Sequence, residues 1–212
     1  MKTVRIAMAG ILLGLGIVLL NSCAPTPLVT IEWEEDGGMP PFIQFQTNDP
    51  ANASQTFLKL YPSTDHGSMG MSYPLEVIAK KVLGSIGASY GIVFCATSDQ
   101  NYFKIVIRTT AEYSISQVVP GGESFLRDWR YSNYLNAGWN RQNRIKVEWI
   151  DGATDHFTVA FNGVTEYVSP DYIFPGGQSG FFASVSDALT EYFPTSTVDV
   201  RFRMLTPDTI PP

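Results

Sequence analysis

The sequence predicts an all-β fold, a two-sheet antiparallel sandwich, and three observations carry that prediction. Apolar residues recur with the two-residue period of a half-buried strand in roughly a dozen short segments, and almost nowhere with the 3.6-residue period of a helix. Turn chemistry separates these segments, above all at Asn162-Gly163, because a type I′ hairpin turn needs positive φ at both central residues. Aromatic residues are plentiful at 13% and charged residues sparse at 16%, a balance that suits pleated, half-buried surfaces better than a helical bundle.

Each element follows from its own pattern. Phe42 to Gln46 and Thr56 to Tyr61 are short alternating runs, the second stopped by Pro62, which cannot continue a ladder. Leu75 to Leu83 (LEVIAKKVL) is the best helical candidate, but Pro74 and Gly84 fit strand boundaries equally well, and we read it as a strand. Tyr90 to Ala96 is apolar on both faces, as in a central strand, and holds Cys95 as a small buried hydrophobe. After a turn at Ser98-Asp99-Gln100-Asn101, Tyr102 to Arg108 runs back with Phe103, Ile105 and Ile107 on one face, and Tyr113 to Val119 follows. Arg144 to Trp149 alternates, with Ile145, Val147 and Trp149 inward and Lys146 and Glu148 outward. Asp151-Gly152 turns the chain, Phe157, Val159 and Phe161 form the next inward set, and Val164 to Val168 completes the Asn-Gly hairpin. Phe181 to Val185 lies behind Gly176, Gly177 and Gly180, and a final strand sets Val198, Val200, Phe202 and Met204 opposite Asp199, Arg201 and Arg203.

The N-terminal segment reads differently. Lys2 and Arg5 precede an apolar run from Ile6 to Leu20, short of the ~20 residues that span a bilayer. The run ends in Leu20-Asn21-Ser22-Cys23, which resembles the lipobox of bacterial lipoproteins. That resemblance implies a signal peptide over residues 1–22, lipidation of Cys23, and a place in the cell envelope. Ala24 rather than Asp after the cysteine implies the outer membrane or cell surface. The alternatives are an ordinary secretory signal cleaved near Ser22 and an uncleaved anchor. Residues 23–27, with Pro25 and Pro27, read as a short stiff tether, and residues 28–212 as one sandwich domain.

Charge and cysteine content narrow the function. The net charge is −6, and loss of Lys2 and Arg5 with a leader makes it more acidic. Nucleic acid is therefore excluded as a partner, because phosphate neutralisation needs clustered cations. Membrane contact is expected through the lipid anchor alone. With Cys23 lipidated, Cys95 has no partner for a disulfide.

The motif order resembles that of concanavalin A-like lectin/glucanase (laminin G-like) domains, which are jelly-roll sandwiches. Tyr90 to Phe94, the Ser-Asp turn and Tyr102 to Ile105 resemble one hairpin of that superfamily. Trp129, Trp139-Asn140 and Asn143 to Val147 resemble its "W…GxxNRLxV" segment. Phe157 to Val164 resembles its "ITVYVNGxxV", Phe174 to Phe181 the approach to a late strand, and Val198 to Met204 the closing strand. The likeness covers residues 90–205 well and 28–89 loosely. It implies the fold; this fold hosts lectins, adhesion modules and hydrolases alike.

Candidate chemistry is sparse. Retaining and inverting glycosidases need two carboxylates flanking the bond, and the Glu-x-Asp-x-x-Glu string of the laminarinase-type members is absent. Some lipoproteins of this fold, known as keto-disaccharide hydrolases, share the "NRIxV…NG" pattern; no catalytic carboxylate of theirs maps onto this chain, which leaves Glu112, Glu123 and Glu166 without an assigned role. His66 and His156 each follow an aspartate, with no nucleophile elbow beside either, and both read as loop histidines. Calcium is common among lectin relatives, and Asp99, Asn101, Asp151 and Asp155 lie in turn-like segments, but a calcium site needs six or more oxygens and no ligand set can be assigned. The richest constellation is Phe125 to Arg144, which gathers Trp129, Tyr131, Tyr134 and Trp139 among Arg127, Arg130, Asn133, Asn140 and Arg141. Sugar sites need flat apolar rings for pyranose C–H faces and planar polar groups for hydroxyls, and this set supplies both. Edge packing is the competing role for Trp129, and core cover for Trp139. The expected activity is non-catalytic recognition of a glycan or glycosylated partner. A hydrolase with a non-standard site and an adhesive protein that binds another protein through a sheet face are the alternatives.

Overall fold

The structure, a computed structural model, describes residues 28–32, 42–47, 56–61, 75–150, 156–170, 177–184 and 198–205. The leader, Cys23, the tether, His66 and the Asp151–Asp155 turn lie outside the described residues. Thirteen strands are described: β1 (Leu28–Glu32), β2 (Phe42–Thr47), β3 (Thr56–Tyr61), β4 (Leu75–Gly84), β5 (Tyr90–Ser98), β6 (Asn101–Ile107), β7 (Glu112–Val119), β8 (Gly122–Tyr131), β9 (Gln142–Ile150), β10 (His156–Phe161), β11 (Val164–Val168), β12 (Gln178–Ser184) and β13 (Val198–Leu205). They form a seven-stranded sheet in the order β1-β2-β13-β4-β9-β10-β11 and a six-stranded sheet in the order β3-β12-β5-β6-β7-β8. Every pairing is antiparallel. The two sheets make the predicted jelly-roll sandwich.

The core lies where the inward rows of both sheets meet. Val77 and Ala79 of β4, Ile145 of β9, Phe157, Val159 and Phe161 of β10, and Val198, Val200 and Phe202 of β13 come from the seven-stranded sheet. Tyr90, Ile92 and Phe94 of β5, Phe103, Ile105 and Ile107 of β6, Tyr113 and Ile115 of β7, and Phe181 of β12 come from the other. Aromatic rings join the sheets: Phe94 meets Phe157 edge-on at 5.2 Å, Tyr113 meets Phe161 at 4.9 Å, and Phe181 stacks on Phe202 at 4.7 Å. Each such pair adds about 0.5–1.5 kcal/mol beyond its buried area.

A second apolar cluster covers the outward face of the six-stranded sheet. Val93, Ala96, Tyr102, Val106 and Phe182 are buried there, with Leu58, Leu60, Val118 and Trp129 packed against them. Burial on both faces is why Tyr90 to Ala96 is a continuous apolar run rather than an alternating one.

Leu75–Gly84 is a strand, as read from its flanks, with Leu75, Val77 and Ala79 buried in register. The Asn162-Gly163 turn has φ values of 49° and 89°, the left-handed pair a type I′ turn requires. Cys95 is buried and itself has φ 51°, at an irregularity in the β5–β6 pairing. Gly177 sits against it with φ +138°, and a Cβ there would lie 2.5 Å from the Ala96 carbonyl oxygen, so only glycine fits. Two strands carry no clear sequence signal: β1, and β8 at the edge of the six-stranded sheet.

Candidate functional site

The candidate segment divides between β8 and the connection that follows it. β8 pairs with β7 through two register shifts, between Tyr113/Ile115 and Ile115/Ser116. These bulges re-aim its side chains. Phe125 lies opposite Ser116, and Tyr131 opposite Glu112, so both share the outward face with Trp129. Leu126 and Arg127 follow the inward side: Leu126 packs on the core, and the Arg127 guanidinium stands 5.3 Å over the ring of the buried core residue Tyr167.

On the outward face, Trp129 is partly buried and covered by the Arg108 guanidinium at 3.5 Å from the ring centroid. It packs against the outer apolar cluster at the edge of the sheet. Tyr131 is the most exposed large ring of the segment at 61%, and Phe125 is half exposed. Beside them the Lys104 ammonium donates to Glu123 Oε2 at 2.9 Å and lies 4.5 Å over the Phe182 ring. Ser114 and Ser116 are buried in the same face, and neither hydroxyl has a hydrogen-bond partner among the described residues.

Residues 132–141 cross from β8 to β9, and backbone groups hold them at one end of the sandwich. The Ser132 amide donates to Ala111 O at 2.9 Å, Gly138 N to Thr109 O at 2.8 Å, and Asn140 N to Lys81 O at 2.8 Å. Asn140 has φ 59°, a conformation asparagine tolerates better than most residues. The Trp139 indole N–H donates to Gly84 O at 3.1 Å while its ring stays 39% exposed, so the residue is neither core nor free. Asn143, 1% exposed, ties the segment to β9: its Oδ1 accepts from Asn136 N at 2.7 Å and Asn162 Nδ2 at 3.1 Å, and its Nδ2 donates to Asn136 O at 3.1 Å. Asn162 Nδ2 also donates to Tyr134 O at 2.5 Å, so the hairpin turn supports the exposed Tyr134 ring. Arg130, Asn133, Asn140 and Arg141 are all exposed.

Two buried groups lie near this segment. Lys81 is fully buried below the connection, and its ammonium donates to the Ser85 and Ala88 carbonyl oxygens, the latter at 2.7 Å. Burial, helped by the nearby Arg108 charge, pushes its pKa down to about 7. Tyr113 is fully buried with its hydroxyl unpartnered among the described residues. Burial and the Glu166 charge raise its pKa, while Arg130 and Arg127 oppose them.

Sequence reasoning named Trp129, Tyr131, Tyr134 and Trp139 with Arg130, Asn133, Asn140 and Arg141. The structure sets Trp129 and Tyr131 on β8, and Asn133, Tyr134, Trp139, Asn140 and Arg141 on the connection. It brings Tyr113, Ser114, Ser116 and Glu166 to the same segment through sheet pairing and bulges rather than through sequence proximity. Burial pushes the Cys95 thiol up to about 12, so it is no thiolate nucleophile at neutral pH. Among the described residues, no group of three or more His, Cys, Asp or Glu side chains is arranged to hold a metal ion.

No family model matches the chain, and no curated protein matches it. Solved structures similar to it include the carbohydrate-binding module CBM66 from Bacillus subtilis, at 13% identity over 84% of this chain and 91% of that one, with a TM-score of 0.49. Sheep galectin-11, in complex with glycerol, is 8% identical over 69% of this chain and 96% of that one, with a TM-score of 0.43. The carbohydrate recognition domain of Emp46p, in metal-free form, is 6% identical over 84% of this chain and 86% of that one, with a TM-score of 0.48.

Proposed function

We propose that the chain is a lipid-anchored cell-envelope protein whose sandwich recognises a glycan or glycosylated partner without chemical turnover. One observation carries this reading. Every exposed aromatic among the described residues (Phe125, Tyr131, Tyr134 and Trp139) falls in a single stretch of β8 and the β8–β9 connection, interleaved with exposed Arg130, Asn133, Asn140 and Arg141. Exposed rings scattered over a surface need no explanation; rings gathered beside planar polar side chains match the two faces of a sugar. The rings are also held. The Trp139 indole N–H donates to the Gly84 carbonyl and the Asn162 side-chain amide donates to the Tyr134 carbonyl, which lowers the ordering cost of binding. Cys23 would supply the anchor, with the tether keeping the domain close to the surface.

The test is a glycan array probed with the full chain in detergent micelles, with and without calcium, beside Tyr134→Ala and Trp139→Ala. Binding that drops tenfold or more in variants with unchanged circular dichroism supports the reading. No binding across diverse glycans, or release of product sugars by the wild type, overturns it. Partition into the detergent phase should disappear in Cys23→Ser.

A further inference from the structure

One end of the sandwich exposes apolar side chains that the core does not use. Leu83, at the end of β4, is 46% exposed, and Ile86, in the turn to β5, is 47% exposed. Both stand beside Trp139. The Gly84 carbonyl accepts the Trp139 indole bond at 3.1 Å. Thr109 links the other two: its Oγ1 donates to the Ile86 carbonyl at 3.5 Å, and its carbonyl accepts from Gly138 N at 2.8 Å. The tip is also held from below, where the buried Lys81 ammonium donates to the Ser85 and Ala88 carbonyls on either side of Ile86. Apolar groups on a pre-ordered turn lose little freedom when a partner covers them.

Strand register sets this tip at the end where the chain enters the domain. Leu28 lies opposite Gln46, Gln46 opposite Asp199, and Asp199 opposite Leu83, so one row crosses β1, β2, β13 and β4 from the first residue of β1 to the tip. Three strand spacings, about 14 Å, separate its ends. Cys23 precedes Leu28 by five residues, a stretch that reaches at most about 18 Å. A lipid on Cys23 would therefore hold this end of the sheet next to the bilayer. Residues 83–89 and 132–141, the turns that carry the three side chains, contain no aspartate or glutamate, so no carboxylate on them has to be desolvated in a headgroup layer. Asp199, opposite Leu83, is buried and paired with Arg201 at 3.4 Å. Exposed Arg141, two residues after Trp139, suits anionic headgroups.

We propose that Leu83, Ile86 and Trp139 form a second membrane contact, which lies in the headgroup layer of the bilayer that holds the Cys23 lipid. This rests on the anchor reading above and goes beyond it, because the sequence led to the expectation of membrane contact through the lipid alone. Leucine and isoleucine supply apolar area, and tryptophan supplies the amphipathic ring that settles at a membrane–water boundary. A lipid on a tether leaves the domain free to turn; a second contact fixes which end faces the bilayer. Trp139 also belongs to the candidate glycan segment, whereas Leu83 and Ile86 do not, so these two carry the test.

The test is fluorescence quenching on the full chain, lipidated by a bacterial host and reconstituted in vesicles of phosphatidylethanolamine and phosphatidylglycerol. A thiol-reactive dye is placed on Leu83→Cys, on Ile86→Cys or, as a control, on Val119→Cys, where β7 ends far from the tip. All three positions are exposed, and the native Cys95 is buried and so protected from the dye. Nitroxide-headgroup lipid in the vesicles should lower the emission at 83 and 86 about twofold or more, as for groups within the headgroup boundary, and leave that at 119 unchanged. Leu83→Ser in the chain labelled at 86 should restore most of the lost emission. A vesicle-bound chain with no quenching at 83 and 86, or with equal quenching at all three positions, overturns the contact and leaves the lipid anchor standing. A blue shift at 83 and 86 without quenching, as burial against a second copy of the chain would give, also overturns it. A chain that carries no lipid by mass spectrometry, or does not float with the vesicles, overturns the anchor reading and the contact with it.

Discussion

Lys81 shows how one residue of the LEVIAKKVL segment ties burial to pH. Alternation places it on the core side of β4, in the row that begins Leu75, Val77 and Ala79. A core row that ends in lysine must solve a solvation problem, and the carbonyls of Ser85 and Ala88 solve part of it. Its pKa falls from the ordinary 10.5 to about 7, so the charged form is the costly one in the folded state. Below pH 7 both folded and unfolded chains hold the proton, and the folded state bears the full cost. Between pH 7 and 10.5 the unfolded chain still binds a proton that the folded chain has released, so this group makes stability rise with pH, by at most about 1.4 kcal/mol per unit. Urea titrations from pH 6 to 8, below ionisation of the Cys95 thiol and of tyrosine in the unfolded chain, should show that rise in the wild type and lose it in Lys81→Met. Identical slopes in the two proteins would mean that Lys81 is already hydrated in the folded state.

At the scale of elements, the β8–β9 connection matters more than its irregular outline implies. It carries Tyr134 and Trp139, and Asn143 is its main attachment, with three bonds to Asn136 and Asn162 from a buried side chain. Asn143→Leu keeps the volume and removes every one of them. Each buried backbone or side-chain group left unpaired costs about 1–3 kcal/mol, so the variant should lose several kcal/mol, and amides 133–141 should exchange faster by hydrogen-exchange mass spectrometry. Exchange confined to the core instead would show that the connection is held by Trp139 and Asn140 alone. The elements also differ in how far the sequence reveals them. β9 and β10 alternate because one face is core and the other is more open, whereas β6 is buried on both faces, and Asn162-Gly163 announces its own turn. β8 was hidden. Its two bulges break the alternation, and an edge position exposes most of its residues. The site was legible in part for the same reason: Trp129, Tyr131, Tyr134 and Trp139 are neighbours in sequence, whereas Tyr113, Ser114, Ser116 and Glu166 join them only through sheet pairing. That pairing also assigned Trp129 to the packed outer face and left Tyr131 in solvent, a distinction that composition alone could not make.

Over the whole molecule, stability and site geometry depend on contacts that are distant in sequence. β13 lies between β2 and β4, and β12 pairs β3, so the chain must bring its last strands back to its first before either sheet closes. Folding governed by such long-range pairing is slow, on the order of milliseconds to seconds. Phe202 is central to that closure: fully buried on β13, it stacks on Phe181 at 4.7 Å and meets Tyr90 edge-on at 6.4 Å, so one ring joins β13 to β12 and β5 of the opposite sheet. Phe202→Ala should cost about 3–5 kcal/mol, a large share of the 5–15 kcal/mol typical of a domain. The site centres on β8, which β5, β6 and β7 separate from β12 in the six-stranded sheet. If the molecule folds as one cooperative unit, Phe202→Ala should shift the urea midpoint seen by Trp139 and Trp129 fluorescence and the one seen by far-ultraviolet circular dichroism by the same amount. Two separate midpoints would show instead that the β8 side of the sandwich holds together after the β13 closure has opened.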